Sequence, residues 1–166
     1  MPEHLHFFNA PAGAIALALP FDYQQAIADW SSLRSQMVRQ VPQEFTRDEW
    51  AYLVAFLERD NLFRPFLTTF GTEVAAPDQA PNLLYRPRGS IAVWLPNNVS
   101  LLGPLTLILL SLTGQPIRLK LGSSAQDLTG SYLQYALANL PQGELKAYLS
   151  SQVTTESFGR DDPRPA

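Results

Sequence analysis

The sequence predicts an α/β protein: a partial doubly wound parallel sheet of about three strands, preceded by two amphipathic helices. Three observations predict it. Apolar residues recur at steps of three and four through the first half of the chain. In the second half, short apolar runs alternate with longer helical patterns, the order expected of βαβ units. The composition, 46% hydrophobic and 16% charged over 166 residues, suffices for one buried core.

Residues 1–20 are rich in Pro and Ala without a clear period and read as an N-terminal arm. A helical segment is expected over residues 21–82. Its first helix spans 21–41, with Tyr23, Ile27, Trp30, Leu33, Met37 and Val41 on one face and Pro42 as its stop. Thr46-Arg47-Asp48-Glu49 fits a capping box: the Thr hydroxyl accepts a free backbone N–H and the Glu reaches back. Trp50, Leu53, Val54 and Leu57 then form a face, and Asn61 is a stop signal. A short helical turn, Phe63 to Phe70, is closed by Gly71, and residues 72–82 read as a loop.

From Leu83 the pattern changes, and residues 83–153 read as a partial nucleotide-binding βαβαβ unit. Ser90–Leu95 is a short apolar run between Gly89 and Pro96, as in a buried strand. Asn98 and Ser100 are candidate N-caps for a helix ending near Thr113 at Gly114, and Pro104 is tolerable only in its first turn. Ile117–Leu121 is a second strand. Ser123 and Ser124 are expected to cap a helix over 125–140. Leu145–Leu149 reads as a third, weaker strand, and residues 154–166 as a disordered tail. So small a sheet would keep exposed edges and a half-covered face, which suggests missing chain.

The net charge of −3 disfavours a nucleic-acid partner. Zero cysteines exclude disulfides, thiolate metal sites and thiol catalysis within the chain. His4 and His6 lie at a terminus without supporting carboxylates, so no metal site is expected. No basic residue precedes the apolar stretch 10–19, as a secretory signal would need. The most apolar run, residues 105–112, is far short of the roughly 20 residues that cross a bilayer. A cytoplasmic protein without a transmembrane segment is therefore expected.

In a doubly wound sheet, ligands bind beyond the carboxyl ends of the strands. Two stretches meet that rule: Leu95-Pro96-Asn97-Asn98 and Lys120-Leu121-Gly122-Ser123-Ser124. An Asn amide can donate to an oxyanion, and a Lys can bind ribose hydroxyls or phosphate. Equally, an Asn after a strand is ordinarily a turn or cap residue, and a Lys there a solvated charge. No G-x-G-x-x-G, P-loop or G-x-S-x-G occurs.

Residues 86–99, R-P-R-G-S-I-A-V-W-L-P-N-N-V, resemble the opening of the nucleotide domain in the aldehyde dehydrogenase superfamily. Residues 111–120, S-L-T-G-Q-P-I-R-L-K, resemble that family's Ala-Gly-Asn-x-hydrophobic-hydrophobic-x-Lys, with Gln115 where Asn is usual. Pro87-Arg88-Gly89, Asn98-Val99 and Ser123-Ser124 bring the chain nearest to the fatty acyl-CoA reductases of the bioluminescence type, over about residues 83–150. The resemblance implies a Rossmann-like fold and the N-terminal portion of an enzyme reducing acyl-CoA or acyl-carrier thioesters to fatty aldehydes. It implies that Asn98 is an oxyanion donor, that Lys120 contacts the adenosine ribose, and that Leu95 and Pro96 line the cofactor through their backbone. Ser123 stands where NAD-preferring relatives often carry a Glu, so NADP(H) is implied over NAD(H). The family's nucleophilic Cys and general-base Glu follow the third strand. A C-terminal half or an oligomeric partner chain is thus expected, with the present chain inactive alone. The alternative is a non-catalytic nucleotide-binding or interaction module of the same descent.

Overall fold

In a computed structural model of the protein, the described residues are 5–7, 15–18, 22–70, 83–85, 89–96, 98–121 and 127–157. The architecture is α/β with a three-stranded parallel sheet, as the sequence leads one to expect. A second, small sheet joins β1 (Leu5–Phe7), β2 (Ile15–Ala18) and β3 (Leu83–Tyr85). β1 pairs antiparallel with β2, and β2 parallel with β3. β1 and β2 thus replace part of the arm expected over residues 1–20; strands of three and four residues are too short to display alternation in a sequence.

The first helix is α1, Tyr23–Met37, which ends four residues before the expected stop at Val41. The Asp22 side chain caps it by accepting from the N–H groups of Gln24 and Gln25. Val38 and Val41 lie exposed beyond its end. The expected capping box opens α2, Arg47–Phe56: Glu49 N–H donates to Thr46 Oγ1, and Thr46 N–H to Glu49 Oε2. Asn61 is not the stop: α2 ends at Phe56 with Leu57 as its C-cap, and Asn61 lies within α3, Arg59–Phe70, which begins before the expected Phe63; from there its Nδ2–H donates back to Ala55 O at 3.0 Å.

The main sheet runs β4 (Ile91–Trp94), β5 (Ile117–Lys120), β6 (Val153–Glu156) in that spatial order. Helix α4, Leu102–Ser111, links the first pair; α5, Thr129–Asn139, and α6, Glu144–Gln152, link the second. Gly114 supplies the positive φ, 67°, that turns the chain from α4 into β5.

The third strand is misplaced in the sequence reading. Leu145–Leu149 is helical, and the strand is Val153–Glu156, which the reading divides between the unit 83–153 and a disordered tail. L-K-A-Y-L satisfies both periods: Leu145, Ala147 and Leu149 alternate, whereas Leu145, Tyr148 and Leu149 share a helical face. Burial selects the helical set, and Tyr148 Oη–H donates to Gln115 O at 2.5 Å. V-T-T-E is β-branched at three successive positions, a strand preference hidden by its polarity. Residues 158–166 lie outside the described residues.

Sequential strand order with crossovers of one hand places the connecting helices on one face. Ile117, Leu119 and Val153 face them and are buried; Ala92, Trp94, Arg118 and Thr154, on the opposite face, are exposed. The half-covered sheet expected from the sequence is therefore present. Its outer face is mostly polar and carries the Arg118–Glu156 ion pair at 2.6 Å. Alternation of this kind suits a face in water, unlike the continuous apolar strands of a sheet covered on both sides.

Helices α1–α3 pack over the connecting helices and close a single core. Trp30 of α1 is its centre: fully buried, it donates Nε1–H to Ser111 Oγ of α4 at 2.9 Å and stacks on Tyr132 of α5 at 6.1 Å. Trp50 of α2 donates to Met37 O at 2.7 Å and meets the edge of Tyr135 at 4.8 Å. Trp30→Ala is expected to cost about 3–5 kcal/mol in urea unfolding, as for a large aromatic removed from a core. Val38→Ala, at a residue 70% exposed, should shift stability by less than about 0.5 kcal/mol.

Candidate functional site

Parallel pairing brings the ends of β4 and β5 together. Trp94 and Lys120 are register partners, and Leu95 N–H continues the ladder to Lys120 O at 3.1 Å. On the other side Leu121 N–H donates to Glu156 O at 2.8 Å. Leu95, Pro96 and Lys120 thus gather at the carboxyl end of the sheet, where a doubly wound fold binds its ligands. Leu95 is buried and packs under α4. Pro96 is exposed and Lys120 half-buried. Asn98 lies two residues further on, exposed in the turn before α4. Ser123 and Ser124 fall outside the described residues.

Neither Asn98 nor Ser100 caps α4, contrary to the sequence reading. The N-cap position is Leu101, and among the described residues no side chain caps the helix. The Ser100 hydroxyl instead donates to Glu49 Oε1 at 2.5 Å, across 51 residues of sequence. The preceding turn is closed by Leu102 N–H to Val99 O at 3.4 Å. Helix α5 begins at Thr129 rather than at 125, with Thr129 N–H donating to Asp127 Oδ1 at 2.8 Å. The Ser100 divergence has a physical cause: a hydroxyl near a helix start can donate to competing acceptors, and tertiary packing brings Glu49 within reach.

The first turns of α4 and α5 are pressed together beside this strand end. A Cβ on Gly103 would lie 1.7 Å from Thr129 Oγ1, 2.9 Å from Thr129 Cβ and 3.0 Å from Leu95 Cδ1. Only glycine permits this approach. Thr129 Oγ1 and Tyr132 Oη are buried without a hydrogen-bond partner among the described residues. Burial also raises the Tyr132 hydroxyl well above its usual pKa, so it stays protonated. Gly103-Pro104 at a helix start was the available signal for the close contact; nothing local announced that Glu49 would reach Ser100.

Among the described residues no group of three or more His, Cys, Asp or Glu could hold a metal ion. No helix among them is long and apolar enough to cross a membrane. Comparisons with protein-family models, curated proteins and solved structures find no match to this chain.

Gly103→Ala is expected to destabilise the fold by about 1–3 kcal/mol through overpacking. Adding Thr129→Ala, which removes the hydroxyl at 1.7 Å, should recover part of that loss. A double-mutant cycle in urea measures the coupling, and strictly additive effects would contradict the contact.

Proposed function

We propose that the chain is the NADP(H)-binding N-terminal part of a cytoplasmic acyl-CoA reductase acting on fatty acyl-CoA or acyl-carrier thioesters. The observation that carries this reading is the convergence of Leu95, Pro96 and Lys120 at the carboxyl end of one parallel sheet. These are the positions that the resemblance to the bioluminescence-type reductases assigns to the cofactor. They fit such a group: the exposed turn at Pro96 and Asn98 leaves room for it, and Lys120 supplies a cation for ribose or phosphate oxygens. Asn98 would donate to the oxyanion of the thiohemiacetal. The bound cofactor would supply the hydride.

The chain has no cysteine, so the thiol nucleophile of the proposed reaction must come from another polypeptide segment. A second reading, a non-catalytic nucleotide-binding or interaction module, is favoured by one observation. The core runs without interruption from α1 to β6, as in a unit that folds by itself.

Energy transfer from tryptophan to bound NADPH tests the cofactor assignment. Trp30 and Trp50 are buried, whereas Trp94 is 58% exposed beside Lys120. NADPH is expected to bind saturably and more tightly than NADH. Lys120→Ala should weaken it about tenfold, equivalent to about 1.4 kcal/mol. A folded chain that binds neither nucleotide refutes the cofactor reading. Nucleotide binding without acyl-CoA-dependent NADPH oxidation, in a folded complex with a reductase C-terminal half, favours the module.

A further inference from the structure

Ser100 is of the residue type that caps helices, and it stands one position before the N-cap of α4. Its hydroxyl nevertheless goes to Glu49 Oε1, 2.5 Å away on α2. The other carboxylate oxygen of Glu49 accepts from Thr46 N–H at 2.9 Å and from Thr46 Oγ1–H at 2.8 Å. One carboxylate therefore serves two structures: the first turn of α2 and the segment joining β4 to α4. That segment carries Pro96 and Asn98, both exposed. The N-cap residue of α4, Leu101, supplies no side-chain cap that would anchor it from the helix.

We propose that Glu49 is a positioning residue for the turn carrying Asn98, holding it through Ser100 only while its own carboxyl is ionised. An ionised carboxylate accepts hydroxyl hydrogen bonds that are shorter and roughly twice as strong as neutral ones. A protonated Glu49 loses that advantage and releases Ser100, which is then one residue from a capping position on α4. The segment thus has two anchors for the same hydroxyl, and the charge of Glu49 selects between them.

The groups around Glu49 leave this charge to hydrogen bonding. Ser100 faces it from the segment before α4, and Thr46 from the start of α2. Arg47 and Asp48, its neighbours on α2, are exposed, and among the described residues no cation pairs with it. The Ser100 hydroxyl first, and the Thr46 N–H next, hold its carboxyl below the usual range. A lowered folded pKa stabilises the contact above the unfolded value and withdraws that stability as pH falls through the folded value. The turn is therefore held at neutral pH and released in acid.

The functional weight of the proposal rests on the nucleotide reading of this strand end, but the coupling itself does not. The test uses the isotope-labelled full chain, followed by NMR from pH 7 downward. The backbone amides of Val99–Leu102 and the Asn98 side-chain amide are expected to titrate together, with a midpoint below that of an ordinary Glu. In Ser100→Ala they should no longer follow Glu49. In Thr46→Ala, which breaks the cap of α2 but leaves Ser100 in place, they should still do so. In Glu49→Gln they should be flat with pH and, at neutral pH, resemble the wild type in acid. Turn amides that stay still while Glu49 titrates, or that titrate alike in wild type and Ser100→Ala, overturn the proposal.

Hydrogen exchange at neutral pH reads the same coupling without acid. Ser100→Ala and Glu49→Gln should speed exchange at Val99–Leu102 about five- to tenfold, with β4 and β5 unchanged. An equal effect from Thr46→Ala would reduce Glu49 to a helix cap and overturn the proposal. Failure of NADPH to bind a chain whose turn does respond to Glu49 would refute the cofactor reading and leave the positioning role standing.

Discussion

The indole of Trp30 is the joint on which the architecture depends. Its ring lies against Tyr132 of α5 and its N–H reaches Ser111 of α4, so one side chain ties α1 to a helix of each crossover. The Ser111 hydroxyl in turn donates to Ile108 O at 2.6 Å, which fixes it as the acceptor of the indole hydrogen. A buried N–H without that partner would cost about 1–3 kcal/mol, so indole and serine are interdependent. Around this joint the α1–α3 layer forms the outer cover of a core whose other wall is the buried face of β4–β5–β6. α1 is then held to the end of α2 by Ser31 Oγ–H donating to Leu57 O at 3.0 Å.

That arrangement gives the outer helices a part in the candidate site. They do not touch the end of the sheet through the core alone. The first turn of α2 reaches the turn after β4 through Glu49 and Ser100. The crossover helices meanwhile abut each other at Gly103 and Thr129. The turn carrying Asn98 therefore lies between a tight steric contact on one side and a polar link on the other. Its geometry reflects the whole molecule rather than the βαβ unit by itself.

Much of the fold was legible because period and punctuation agreed. Tyr23, Ile27, Trp30, Leu33 and Met37 mark α1 by spacing, and Thr46–Glu49 mark the start of α2 by chemistry. The runs around Ile91–Trp94 and Ile117–Lys120 were strands as read. Legibility failed where a short segment satisfied two periods, as at Leu145–Leu149, or hid a strand under hydroxyls, as at Val153–Glu156. The gathering of Leu95, Pro96 and Lys120 followed from strand order and could be anticipated. The destination of the Ser100 hydroxyl could not, because it depends on a helix 51 residues away. Side-chain hydrogen bonds between distant segments leave no periodic trace in a sequence.

The separation between Trp30 and Ser111, 81 residues, also bears on the order of assembly. Closing a flexible loop of that length costs roughly 4 kcal/mol of chain entropy. The cost falls once β4, α4 and β5 have formed through shorter connections and shortened the path between the two ends. Docking of α1 is thus the long-range event of folding, and the βα units are the local ones. Trp30 reports the first and Trp94, at the end of β4, the second. With Trp50 replaced, these two indoles would give one chain a separate optical clock for each stage.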